Sequence, residues 1–204
     1  NGNNAYFTDD KGNLIIFSVN ENKVIKKFNF YKKKYKKFSK KLNIIIENNV
    51  VYISDNIGYL YAYDVEKEKI IWAKNLKVPF RSNFKIFKNK LIAANQNNEL
   101  YFFDKINGNT INSIPTEETV IKNKFENNLS IDENNLFFLN TYGSLYSINN
   151  NSMKINWFLN LNQTTDLNPS NLFLSNQIVN NNEKIIISSN NYLYILDVKN
   201  GSLI

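Results

Sequence analysis

The residues best suited to chemistry in this chain are carboxylates and amides that end short apolar runs. Asp64, Asp104, Asn149 and Asp197 each occupy such a position. Groups of this type could serve general acid–base catalysis or ligate calcium. Their recurrence points elsewhere: a catalytic carboxylate is needed once, whereas a turn needs its side chain in every copy. An Asp or Asn closing a strand can accept hydrogen bonds from the amides of the turn that follows, and a Gly further on can take positive φ. Other chemistries fall to composition. The 204 residues include no cysteine and no histidine, which removes disulfides, thiolate nucleophiles, sulfur-ligated metals, imidazole ligands and the Ser-His-Asp triad. No cofactor is expected.

The elements that hold these residues are strands. Leu14-Ile15-Ile16-Phe17, Val50-Val51-Tyr52-Ile53 and Lys184-Ile185-Ile186-Ile187 are β-branched or aromatic and bounded by turn residues. The nearest helical candidate, Thr116 to Phe125, has no long apolar stripe. The runs recur in register. Gly12 to Ser18, Asn56 to Asp64, Asn98 to Asp104, Gly143 to Asn149 and Asn191 to Asp197 end at positions spaced by 46, 40, 45 and 48 residues. In the second copy four strand-like pieces follow one another, about Leu42 to Ile46, Val50 to Ser54, Tyr59 to Asp64 and Lys69 to Lys74. Four antiparallel strands in such a period are the blade of a β-propeller; a leucine-rich repeat would be shorter and carry one strand.

The chain is therefore expected to be all-β, with about five four-stranded blades at roughly 1–41, 42–82, 83–125, 126–168 and 169–204, forming a single propeller domain or a fragment of a larger one. It opens at a second strand, Ala5-Tyr6-Phe7-Thr8, and stops in a fourth, Gly201 to Ile204. Its start, Asn1-Gly2-Asn3-Asn4, has neither the look of a signal peptide nor an initiator methionine, so an excised or processed piece is expected. No apolar run approaches the length of a membrane-spanning helix.

The turn into the fourth strand carries a family resemblance. Ala62-Tyr63-Asp64-Val65-Glu66-Lys67-Glu68-Lys69-Ile70-Ile71-Trp72 resembles the blade motif Ala-x-Asp-x-x-Thr-Gly-Lys-x-x-Trp of quinoprotein-like (PQQ-like repeat) propellers. Asp104 and Gly108 recur in the third copy, which has Asn112 at the Trp position. Asn149, Lys154 and Trp157 recur in the fourth, and Asp197 and Gly201 in the fifth. The first copy is the most degenerate, with Ser18, Lys23 and Lys26. Trp72 and Trp157 are expected to fill space between neighbouring blades, each N–H finding a carbonyl. Within this superfamily the chain is most similar to the BamB family of outer-membrane protein assembly factors. That resemblance implies an eight-bladed periplasmic lipoprotein, anchored through an upstream cysteine, that acts as a non-catalytic scaffold with partners in the β-barrel assembly machinery. Relatives that bind pyrroloquinoline quinone and calcium, and others that serve as ligand-binding or sensor domains of receptors, supply the alternatives.

Charge is concentrated rather than general. The formal net charge is +7, yet residues 21–41 hold ten lysines against one glutamate. Within this stretch Lys32, Lys33, Lys34, Lys36 and Lys37 lie among Tyr31, Tyr35 and Phe38, in an inter-blade loop or strand edge. A solvated loop is the plainer reading, and an anionic membrane surface the better functional one. With Arg81 the single arginine, the bidentate base readers needed for sequence-specific nucleic-acid binding are nearly missing. Two longer connections, Ile114 to Asn128 (Pro115, Glu117, Glu118, Lys122, Lys124) and Asn160 to Asn171 (Thr164, Thr165, Asp166, Pro169), are candidate partner surfaces.

Overall fold

A computed structural model of the chain describes residues 3–31, 33–35, 37–117, 125–162, 172–189 and 192–204. Most of the helical candidate, Glu118, Lys122 and Lys124 of the first long connection, and Thr164, Thr165, Asp166 and Pro169 of the second lie outside them, as do Lys32, Lys36 and the side chain of Lys34. Among the described residues all regular structure is β apart from one 3-10 turn, Lys33–Tyr35. No described helix is long and apolar enough to cross a membrane.

The described strands form five antiparallel meanders in which each pairs only with its sequence neighbours. The contacts divide them into two compact units, Asn1–Pro79 and Phe80–Ile204. The first unit holds β1 (Asn4–Thr8), β2 (Asn13–Ser18) and β3 (Lys23–Asn29) in one sheet. Its second sheet is β4 (Leu42–Glu47), β5 (Val50–Asp55), β6 (Tyr59–Asp64) and β7 (Lys69–Asn75). The second unit begins with β8 (Lys85–Phe87), β9 (Lys90–Ala94), β10 (Leu100–Asp104) and β11 (Thr110–Ile114). There follow β12 (Asn128–Ile131), β13 (Asn135–Leu139), β14 (Ser144–Asn149) and β15 (Ile155–Asn160). The last sheet is β16 (Val179–Asn180), β17 (Lys184–Ser188) and β18 (Leu193–Asp197). A further bridge, Leu196 to Leu203, continues this sheet toward a fourth strand. These are propeller-type blades, as the repeat period predicts.

Burial follows strand position within the blade. Middle strands are buried on both faces: Val51 to Asp55 in β5 and Leu136 to Leu139 in β13 have almost no exposed surface. Strands covered on both faces read as unbroken apolar runs, which is why they stood out in the sequence. Fourth strands alternate instead; in β7 only Trp72 is buried while its neighbours Ile71 and Ala73 face solvent. Each complete third-to-fourth pairing also carries a register shift, at Ile16/Phe17, Ala62/Tyr63, Phe102/Phe103 and Ser147/Ile148. A bulge adds local twist and re-aims the side chains around it. Here it recurs beside the position that carries Trp in two of the blades.

The core is made between sheets. In the first unit Leu14 and Ile16 of β2 pack with Val51, Ile53, Tyr61 and Tyr63. In the second, one cluster joins Ile92 and Phe102 to Leu129, Phe138 and Ile148. A second joins Phe137 and Leu145 to Ile185, Ile187 and Leu196.

Candidate functional site

The repeat carboxylates and amides are engaged by their own turns. Asp64 Oδ1 accepts from the Lys67 amide at 2.9 Å. Asp104 Oδ1 accepts from Ile106 at 2.8 Å and Asn107 at 3.1 Å. Asn149 Oδ1 accepts from Asn151 and Ser152 at 3.0 and 2.8 Å, and Asp197 Oδ1 from Lys199 and Asn200 at 2.7 and 3.3 Å. Four positions on, Gly108 and Gly201 have φ of +72° and +73° and donate back to the Asp104 and Asp197 carbonyls. Lys69 pairs directly with Asp64 in the ladder, and the Lys154 carbonyl accepts from the Asn149 amide. Among the described residues no group of three or more acids is arranged to hold a metal. A quinone–calcium centre would need such oxygens facing a shared cavity, and those of the repeat face their own turns, so this residue set does not fit one.

The tryptophan position shows what joins blade to blade. Ala62, fully buried, lies opposite Trp72, and Ser147 lies opposite Trp157. Trp157 Nε1 donates to the Val198 carbonyl at 3.0 Å, and its ring packs with Phe137, 6.2 Å between centroids. Gly201 lies under this ring; a Cβ there would come within 2.8 Å of it. In the first blade the same ladder position holds Lys26, opposite Ile16. Lys26 Nζ donates to the Val65 carbonyl at 2.9 Å and meets Glu68 Oε1 at 2.9 Å. Val65 and Glu68 stand one and four residues after Asp64, as Val198 and Gly201 stand after Asp197. The ammonium thus makes the hydrogen bond that the indole makes elsewhere. With no ring overhead, a glutamate at φ +51° replaces the glycine.

A second series of turn residues escaped the motif reading. Asp9, Asp55, Asn95 and Asn140 follow one another at 46, 40 and 45 residues, the intervals of the first series. Each accepts from amides of the turn between second and third strands. Asp55 Oδ1 takes those of Ile57, Gly58 and Tyr59, all at 2.8 Å. Asn140 Oδ1 takes those of Tyr142 and Ser144 at 2.9 and 3.0 Å. The shared period was the available signal.

Two buried polar networks grow from this series. In the first unit Tyr31 Oη donates to Asp55 Oδ2 at 2.5 Å. Burial pushes the Asp55 carboxyl above its usual range despite the hydrogen bonds from Tyr31 and the three amides. Tyr31 also lies under the Lys40 ammonium, 5.3 Å from ring centroid to Nζ, and edge-on to Tyr35 and Tyr61. Tyr35 meets Tyr59 through their hydroxyls at 3.0 Å, so Tyr31 and Tyr35 of the basic segment face the blades, whereas Phe38 is exposed. Lys33 and Lys37 are exposed.

In the second unit Glu117 leaves the end of β11 and reaches the fourth blade. Its carboxylate accepts from Tyr146 Oη at 2.6 Å, Asn140 Nδ2 at 2.7 Å and Ser144 Oγ at 2.7 Å. Burial alone would raise this carboxyl; the hydrogen bonds prevail and hold it below the usual range. Tyr146 is correspondingly raised by burial and by Glu117. Asn98 extends the network, donating to the Glu117 carbonyl at 3.1 Å and accepting from Thr141 Oγ1 at 3.0 Å. Glu117 belongs to a connection singled out as a partner surface. Its carboxylate is an internal tie instead. Neither network pairs a nucleophile with a base; both hold loops against sheets.

Comparison with known proteins agrees with this blade anatomy. Among curated proteins none matches the sequence. Residues 74–204 match the family model described as outer membrane protein assembly factor BamB. The structure is similar to the crystal structure of BamB from Moraxella catarrhalis, with TM-score 0.79 and 13% identity over all of this chain and 61% of that one. It is also similar to a computationally designed protein, Ika8, with TM-score 0.76 and 8% identity over all of this chain and 58% of that one. The chain therefore spans about three fifths of the length of these solved structures. With the family model covering well over half of its residues and the same blades underlying the match, the chain belongs to the BamB family of PQQ-like repeat β-propellers.

Proposed function

We propose that this chain is part of a non-catalytic propeller scaffold that makes protein–protein contacts in the assembly of outer-membrane β-barrels. Its partners are then components of the β-barrel assembly machinery, and its place is the periplasmic side of the outer membrane, held there by a lipid anchor outside residues 1–204. The match of residues 74–204 to the assembly-factor family carries this reading. The geometry supports it: Asp64, Asp104, Asn149 and Asp197 do the same local job in four blades, so none stands out as the unique acid or base that a catalyst needs.

The test uses the full reading frame, tagged and expressed in its own host. Affinity capture followed by mass spectrometry is expected to recover the barrel-assembly components, and deletion of the gene to lower the level of folded outer-membrane barrels. Recovery of none of these components, together with normal barrel levels in the deletion strain, would overturn the assignment. Dye-linked oxidation of alcohols or sugars on addition of quinone and calcium would favour the dehydrogenase alternative.

A further inference from the structure

Sulfur occurs once in this chain: there is no cysteine and a single methionine, Met153. Its place in the fold is unusual. Met153 stands four residues after Asn149, as Gly201 stands four after Asp197. Its amide donates to the Asn149 carbonyl at 2.8 Å, just as that of Gly201 donates to the Asp197 carbonyl at 2.9 Å. It also has the glycine's backbone, with φ at +56°, a region that residues bearing a Cβ rarely enter. At Gly201 a Cβ would meet the Trp157 ring. Between the third and fourth blades that ring is missing, because Asn112, paired with Phe102 in the ladder, stands at the tryptophan position. The methionine takes up the room. Its side chain packs against the cluster that joins Ile92, Phe102 and Ile114 of the third blade to Leu129, Phe138 and Ile148 of the fourth.

The hydrogen bond that Trp157 Nε1 gives to the Val198 carbonyl is supplied here from the neighbouring hairpin. Lys90 Nζ donates at 2.8 Å to the carbonyl of Asn150, which follows Asn149 as Val198 follows Asp197. Lys88 Nζ adds a hydrogen bond to Asn151 Oδ1 at 2.9 Å. Lysine thus replaces the indole's donor, and Met153 its apolar bulk. The turn is open to water nonetheless: Asn151, Ser152 and Lys154 are exposed, and Met153 is only partly buried.

We propose that Met153 is a site of reversible oxidation by peroxides, through which the packing between the third and fourth blades responds to oxidant. The sulfur lone pair attacks one oxygen of hydrogen peroxide, the O–O bond breaks, and the second oxygen leaves as hydroxide. That hydroxide takes the proton from the oxygen now on sulfur. The sulfide is oxidised to a sulfoxide and the peroxide reduced to water, with no base or metal required of the protein. The product is polar and chiral where the thioether was apolar and adaptable. Its oxygen needs a hydrogen-bond donor that the Ile, Leu and Phe side chains of the cluster do not offer. The oxidised side chain therefore turns out to solvent, and the cluster loses its cover at the turn. Methionine sulfoxide reductases, one for each epimer, restore the thioether.

The experiment treats the folded 204-residue chain with hydrogen peroxide and follows intact mass, peptide map, amide hydrogen exchange and urea unfolding. Addition of one oxygen, mapped to Met153, is expected at a rate within about tenfold of that of N-acetylmethionine amide, since susceptibility follows exposure. Amides of residues 149–153 are expected to exchange faster after oxidation. The folded-to-unfolded ratio should fall by at least about fivefold, the effect of a polar group introduced into apolar packing. Treatment with the two sulfoxide reductases should reverse both changes. Met153→Leu, similar in volume and without sulfur, should show neither change on exposure to peroxide; Met153→Gly, which suits the backbone, serves if the Leu variant does not fold. No oxygen on the folded chain under peroxide that fully converts N-acetylmethionine amide would overturn the site. Oxidation that leaves exchange and unfolding as they were, or changes that a sulfur-free variant shows equally, would overturn its coupling to the blade junction.

Discussion

At the level of single residues, two carboxylates that burial pushes upward alike end with opposite net shifts, because the hydrogen bonds to Glu117 prevail and those to Asp55 do not. Glu117 has its folded pKa held below the unfolded value of 4.5. The unfolded chain therefore takes up the proton first as pH falls. Its contribution to stability is full above about pH 4.5 and is lost as pH drops through the folded value. Glu117→Gln, or Tyr146→Phe, is expected to cost about 1–3 kcal/mol at pH 7 in urea unfolding, and the gap between the Gln variant and wild type to narrow as pH falls below the unfolded value of 4.5. Asp55 runs the other way: its folded pKa lies above the unfolded value of 3.8. Its favourable contribution is full below pH 3.8 and is lost as pH rises through the folded value. Asn already stands at the equivalent positions 95 and 140, and its Oδ1 can accept the same amides. Asp55→Asn is therefore expected to lie within about 1 kcal/mol of wild type at pH 7, or above it, and to remove the acid-side component from the pH–stability curve. A loss of several kcal/mol at pH 7 would mean that the ionised form is the one the fold requires.

At the level of elements, two junctions share one contact, between the fourth strand of one blade and the turn of the next. Trp157→Ala is expected to cost about 2–4 kcal/mol, less than a fully buried aromatic because the ring is half-buried. Gly201→Ala should cost more than about 1 kcal/mol, because φ is +73° and the added Cβ meets the indole at 2.8 Å. The first unit supplies the compensated version, Lys26 with Glu68. Importing it as Trp157→Lys with Gly201→Glu is expected to give a double variant more stable than the sum of its singles, by about 0.5–3 kcal/mol of coupling. Additive losses in urea unfolding of the four proteins would show that the two positions act independently. This same contact marks how far the sequence could be read. Middle strands were legible because burial on both faces makes them continuous apolar runs, and Asp64, Asp104 and Asp197 because their partners lie two or three residues away. Lys26 and Glu68 looked like decay of the motif because the pair spans two blades and 42 residues, a separation at which one sequence shows no pairing. Tyr31 with Asp55 and Tyr146 with Glu117 were hidden for the same reason, at separations of 24 and 29 residues.

At the level of the whole molecule, the charge distribution argues for an oriented surface rather than a generally basic protein. Residues 21–41 carry ten of the 25 basic side chains and one of the 18 acidic ones, so the remainder is slightly acidic. Two tyrosines of this segment are tied to the blades. Tyr35 is tied to Tyr59 at 3.0 Å and Tyr31 to Asp55 at 2.5 Å, while Lys33 and Lys37 stay exposed on either side of Tyr35. Lys33 and Lys37 flank a tyrosine that is anchored to a blade, and each lysine near an anionic bilayer is worth about 1 kcal/mol. Vesicles containing phosphatidylglycerol are therefore expected to co-sediment with the protein, and neutral phosphatidylcholine vesicles not. Lys33→Glu with Lys37→Glu should weaken binding by at least about 30-fold, two such contributions converted to an affinity ratio. Raising ionic strength from 0.15 to 0.5 M should weaken the wild type in the same direction, because exposed charges are screened within a few ångströms at that salt. Equal sedimentation with both lipids, or a double variant that binds as wild type does, would assign the lysines to solvation alone.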